Sequence, residues 1–147
     1  MSQFARPVLD ITRTNWLTYL GGTTDLYDQI NKEIRNDSEY VETILDPNTA
    51  IYVVKISSVV DPESSAGHIF RYAFRKDQAD ADQIDFVIQL RQGYVSEGAP
   101  GTLIKATTHT DVAGDGWIAG SVTLSGGEAD SITNYTDLFF RMTGNTP

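Results

Sequence analysis

The sequence predicts an all-β fold, an antiparallel β-sandwich of jelly-roll type with seven to eight strands. Three observations carry that expectation. Apolar residues recur at every second position in several short runs. Turn-forming clusters of Gly, Pro, Asn, Asp and Ser separate the runs. Only one stretch, 24–35, has helical spacing.

The elements follow in order. Asn15 to Leu20 and Glu39 to Leu45 read as short strands on either side of the helical stretch. In that stretch Thr24 stands at the capping position, Leu26, Ile30 and Ile34 share one face, and Lys32 and Arg35 suit the C-terminal end. From Ala50 to Ser57, Tyr52, Val54 and Ile56 face one way and Ile51, Val53 and Lys55 the other. His68 to Lys76 alternates Phe70, Tyr72 and Phe74 with Arg71, Ala73 and Arg75. From Ile84 to Gln92, Ile84, Phe86, Ile88 and Leu90 point inward. Thr102 to Thr108 is a weaker strand, and Trp117 to Leu124 puts Ile118, Val122 and Leu124 on one side. Tyr135 to Thr143 closes the series, with Leu138, Phe140 and Met142 against Asp137 and Arg141. The segments DPNT, DPESSAG, SEGAPG, AGDG and SGGEAD are read as turns.

At 147 residues, with 40% hydrophobic and 21% charged, the chain is expected to form one domain. The sandwich is placed at 15–143 and the tail 144–147 is expected to fray. Residues 1–14 carry Phe4, Pro7, Val8, Leu9 and Ile11 without clean alternation. They form either an edge strand on their own sandwich or an extended N-terminal arm lying on a neighbour, where Arg6-Pro7 favours a stretched path; the assignment adopted is the arm.

Charge and composition restrict the function classes. Twenty acidic against eleven basic residues give a net charge of −9. Nucleic-acid affinity comes mainly from Lys and Arg on phosphates, so a direct nucleic-acid partner is not expected, nor an anionic membrane. There is no cysteine, which removes disulfides and thiol chemistry. The N-terminus lacks the pattern of a secretion signal, and no apolar stretch is long enough to span a bilayer.

No catalytic signature stands out. His68 and His109 lie on predicted strands about forty residues apart, and His68, in register with Phe70 and Tyr72, reads as a strand-end residue with a satisfied hydrogen bond. There is no GxSxG elbow or phosphate loop, and no carboxylate pair is evident for glycoside hydrolysis. No enzymatic activity and no cofactor are expected. Calcium is the one metal considered: Asp80, Asp82 and Asp85, with Asp77, crowd a hairpin connection, and Asp111, Asp115 and Glu128 form a weaker group. The first cluster lacks the glycine turn and spacing of an EF-hand loop, and a solvated polar hairpin is the commoner outcome for such a run. Trp16, Tyr19, Tyr94, Trp117 and Phe139 fall out of register or near turns and could face outward; of these Trp16, Tyr94 and Trp117 are the candidates for stacking on a ligand. Asn36 and Asn134 match the glycosylation acceptor pattern without a signal to export them.

Several longer runs add a resemblance: ARPVLDITRTNW at 5–16, LYDQINKEIRNDSEYVETI at 26–44, HIFRYAFRK at 68–76, FVIQLRQG at 86–93 and VTLSGGEADSITNYTDLFFRM at 122–142. Together they resemble a small β-sandwich virion module of tailed phages, of the capsid decoration or cement type. The motifs are structural and transfer no catalytic residue. The resemblance implies a protein on the outer capsid surface, made in the host cytoplasm, that binds the major capsid protein and bridges capsomers, as a homo-oligomer with a trimer favoured. Phe4, Arg6, Pro7, Val8, Leu9 and Ile11 would then contact the capsid or a neighbouring subunit. The alternative is a carbohydrate-binding sandwich, of a virion fibre or adhesion type, that uses Trp16, Tyr94 and Trp117 and could carry structural calcium.

Overall fold

The computed structural model describes residues 3–45, 47–77, 83–112, 114 and 116–147. They form β1 (Pro7–Thr14), β2 (Trp16–Thr18), α1 (Tyr27–Ile30), β3 (Val41–Thr43), β4 (Ala50–Ile56), β5 (Ile69–Phe74), β6 (Asp85–Gln92), β7 (Thr102–His109), β8 (Ile118–Thr123), α2 (Gly126–Asp130) and β9 (Leu138–Asn145). The fold is an all-β antiparallel sandwich. Its main layer is a five-stranded sheet in the order β1-β4-β9-β6-β7, and the remaining strands form two ribbons, β2-β3 and β5-β8. The described residues thus give nine strands in place of seven or eight, and the pairing is not that of two four-stranded jelly-roll sheets.

The period-two pattern decides which side chains enter the core. Register sets Tyr52 opposite Met142 and Val54 opposite Phe140. It also sets Ile88 and Leu90 opposite Met142 and Phe140. The β5-β8 ribbon lays Phe70 against Phe140 at 5.3 Å and Phe74 against Phe86 at 5.0 Å between ring centroids. Trp16 of β2 covers Tyr52 at 5.8 Å. Each large apolar side chain fully buried here contributes about 1.5–3 kcal/mol. Across the ribbon, Gly120 pairs with Tyr72, whose ring lies where a Cβ on Gly120 would stand, 2.3 Å from Cζ.

The outer face of the sheet is also covered at its centre. Val53 and Phe139 point away from the main core yet are buried, because the segment 93–101 folds back and packs Tyr94 on them. Tyr94 donates to Glu97 at 2.7 Å, and Arg141 grips the Glu97 carboxylate at 2.9 and 2.6 Å. Gly101 makes the return possible: it has φ +67°, and a Cβ there would meet the Gln92 carbonyl at 2.2 Å.

Four expectations are corrected. Residues 7–14 are the edge strand β1, paired with β4, so the separate arm and the boundary at residue 14 disappear. The helix at 24–35 shrinks to one turn, since Leu26 is buried in the core and Tyr27 and Ile30 pack against it, while Ile34 is 82% exposed. One docked turn cannot hold a longer polar helix in water. The segment SGGEAD contains α2, closed by a capping box in which Ser125 and Glu128 satisfy each other's backbone N–H. The tail does not fray at its start: Gly144 and Asn145 belong to the central strand β9, Asn145 Oδ1 accepts from the backbone of Thr49 and Ala50, and Thr146 N donates to Pro47 at 2.9 Å.

Candidate partner-binding edge

β1 ends the five-stranded sheet, so among the described residues one of its two sides has no strand beside it. Its other side is firmly held. The ladder to β4 continues beyond the strand, with Ser57 N donating to the Arg6 carbonyl at 2.7 Å and Arg6 N to Ser57 Oγ at 3.0 Å. Further out, the Gln3 amide mimics a strand, donating to Val60 O at 2.9 Å and accepting from Val60 N at 2.7 Å.

The buried carboxylate of Asp10 fixes this strand to the rest of the molecule. It accepts from Leu26 N at 2.8 Å, Tyr27 N at 2.9 Å and the Tyr52 hydroxyl at 2.8 Å. It thereby caps α1 from outside and ties β1, α1 and β4 together; Arg13 Nη1 lies 3.7 Å away. Burial, then the hydrogen bond to Asp10, pushes the Tyr52 hydroxyl far above the usual phenol range, so it remains a donor.

Against this anchored backbone, the apolar side chains of the edge are turned outward. Phe4 is 70% exposed, Leu9 51%, Val8 43% and Ile11 36%. Val60, beside Gln3, is also exposed. Val8 and Ile11 are the extra residues where the register with β4 shifts. Bulges of this kind twist an edge and oppose sheet-to-sheet extension. The edge therefore offers side chains more readily than a straight ladder. Arg6 and Pro7 are half-buried, and Arg6 reaches Glu33 at 3.8 Å.

The three stacking candidates separate. Trp16 and Tyr94 are buried, the first against Tyr52 of β4 and the second against Val53 and Phe139 on the outer face of the sheet. Trp117 is half-exposed and meets Tyr40 edge-on at 5.7 Å. Arg75 sits 5.1 Å from both ring centroids, and Arg35, which forks onto Asp37, lies 5.7 Å from Trp117. A sugar stacking on Trp117 would compete with these guanidinium groups for the ring faces. Tyr19 extends the cluster, 5.6 Å from Tyr40. Sequence marked Tyr19 as an outward aromatic and named Arg35 and Arg75 only as helix-end and strand residues; Tyr40 was not singled out, and the cluster was not foreseen because its members come from remote segments.

Of the calcium candidates, Asp80 and Asp82 lie outside the described residues, as does Asp115. Asp85 accepts from Asp111 N at 2.9 Å, an ordinary loop closure. Glu128 is engaged by Lys105 at 2.6 Å and by its own cap, which together hold its carboxyl down at about 2. Among the described residues no group of three or more His, Asp or Glu converges as a metal site. His68 and His109 each bond a tyrosine hydroxyl, Tyr135 at 2.7 Å and Tyr72 at 2.8 Å.

A cleft of about 340 Å³ opens between the loop after Val60 and the segment following α2. Asp61, Glu63, Ser64, Ser65, Asp130 and Tyr135 contribute polar groups to it. Its three carboxylates are exposed and make no ion pair among the described residues. Sequence offered no sign of this grouping, whose two halves stand some seventy positions apart. Among the described residues no helix is long and apolar enough to cross a membrane. Comparison of the chain with protein-family models, curated proteins and solved structures finds no match.

Proposed function

We propose that this chain is a non-enzymatic virion structural protein that decorates and stabilises a phage capsid through the β1 edge. The observation that carries the reading is a set of exposed large apolar side chains, Phe4 just before β1 and Val8, Leu9 and Ile11 on it, along an edge strand anchored on its β4 side. Scattered exposed apolar residues need no explanation, but a group on one edge is the mark of an interaction surface. The virion setting rests on the resemblance of the sequence runs, and with it the major capsid protein as partner, a location on the outer shell and a homotrimeric state. Many weak copies on a lattice would act together, because avidity multiplies modest single contacts.

The test is sedimentation with undecorated capsids from the same source, with the mass in solution measured by light scattering. The wild type is expected to pellet with the shell as a trimer. The variant Phe4→Ser/Leu9→Ser, whose changed side chains are exposed, is expected to keep its urea midpoint and remain in the supernatant. Equal pelleting of that variant overturns the reading.

A further inference from the structure

The apolar edge adjoins the carboxylate cleft through Gln3 and Val60. Gln3 is hydrogen-bonded to both backbone groups of Val60, Phe4 follows Gln3, and Asp61 of the cleft follows Val60. On the other wall, the Tyr135 carbonyl accepts from Val59 N at 3.3 Å while Tyr135 itself lines the cleft. The surface therefore runs from Ile11 and Leu9 through Val8, Phe4 and Val60 into Asp61, Glu63 and Asp130. Apolar contact is offered along its length and uncompensated negative charge at its end.

We infer that this surface receives an extended, basic segment of a protein partner, its apolar side chains lying on Phe4, Val8 and Leu9 and a Lys or Arg entering the Asp61–Glu63–Asp130 cleft. The inference rests on the edge reading above and adds the chemistry of the partner. Charge complementarity selects the occupant. The cleft carboxylates have no cation of their own among the described residues, in a chain with a net charge of −9. An acidic or neutral segment would leave them uncompensated, and a second copy of so acidic a chain would be repelled there. The bulges at Val8 and Ile11 make the edge a poor ladder for a second sheet and leave side-chain contact as the mode of binding. The cleft is large enough for one long basic side chain and its hydration.

The probe is a short alternating lysine–valine peptide, with a glutamate–valine peptide as its control, titrated by calorimetry against the full chain. The wild type is expected to bind the lysine peptide, more weakly as salt is raised, and to ignore the glutamate peptide. The variant Asp61→Asn/Glu63→Gln/Asp130→Asn keeps the Asp61 acceptor that closes the turn onto Glu63 N, and all three positions are exposed, so an unchanged urea midpoint is expected. Its affinity for the lysine peptide should fall roughly tenfold, the sum of three exposed charge contacts. Equal affinity in that variant, no binding of the lysine peptide, or equal binding of the glutamate peptide overturns the inference. None of these outcomes touches the edge reading, which stands or falls on capsid sedimentation of Phe4→Ser/Leu9→Ser.

Discussion

Asp10 is the point where the edge strand is most open to attack. Its carboxylate satisfies two backbone N–H groups and one hydroxyl, and two of those three donors belong to residues with no exposed surface, Leu26 and Tyr52. A hydrogen bond to a charged acceptor contributes about 1.5–3 kcal/mol, and a buried donor left bare costs about 1–3 kcal/mol. Asp10→Ala strands all three donors. Tyr27 is half-buried and can recover water, so the expected loss is about 3–6 kcal/mol, a large part of the 5–15 kcal/mol typical of a domain. Asp10→Asn preserves the shape and one acceptor oxygen but turns an NH₂ towards a donor; about 1.5–3 kcal/mol is expected. The assay is urea unfolding followed by tryptophan fluorescence, read as a change in midpoint at constant slope. A double-mutant cycle with Tyr52→Phe should return a coupling of about 1–3 kcal/mol between the two side chains. A loss below about 1 kcal/mol for Asp10→Ala would refute the reasoning, as would equal losses for Ala and Asn. The first result would mean that β1 is held by its ladder alone, the second that the oxygen retained in Asn contributes nothing.

Three further outcomes are expected. Gly120→Ala should destabilise by about 1–3 kcal/mol in thermal unfolding, since its Cβ would displace the Tyr72 ring, which Phe70, Phe74, Phe86 and His109 surround. Thr49 holds φ +68°, a costly conformation for a β-branched residue. Thr49→Asn should therefore raise stability by about 0.5–1 kcal/mol; a lower melting temperature would show that the strain is not there. The carboxyls of Glu97 and Glu128 are both held below the ordinary glutamate value, the first chiefly by the Arg141 hydrogen bond and the second by Lys105, the latter down to about 2. Lowered folded values mean that the unfolded chain takes up protons first. The associated stability is present above the usual glutamate range and is lost as pH falls towards 2. Glu97→Gln and Glu128→Gln should each flatten the acid limb of stability against pH, and an unaltered limb in both would contradict the assignment.

Much of the strand framework was legible because its signal is local. Alternation in AIYVVKI, IFRYAF and DFVIQLRQ reports which side chains share a face, and the register of β4, β5 and β6 follows it. The capping box of α2 was equally local, Ser125 three residues before Glu128, and was read as part of a turn although its signal was present. The candidate edge was half legible: Phe4, Val8, Leu9 and Ile11 were marked, but whether they lay on an arm or a strand could not follow from their order. That depended on the partner strand β4, forty residues away.

The sequence by itself determined the class of fold, most of the strands and many of the inward-facing residues, because a pleated strand forces alternate side chains to opposite sides. It could not determine what lies against each side. Val53 and Phe139 occupy the outward positions of their strands and are buried nonetheless, because a segment closed by Gly101 and the Glu97–Arg141 pair returns over them. Trp16 and Tyr94, outward by register, are inward by packing. The helix starts at Tyr27 and not at Thr24 because Asp10, from β1, supplies the acceptor for the Leu26 and Tyr27 N–H groups. The acidic cleft exists only where residues 61–65 meet 129–135. Each of these is a contact between distant segments, stabilised only once the sheet has brought them together, and no spacing along the chain encodes that distance.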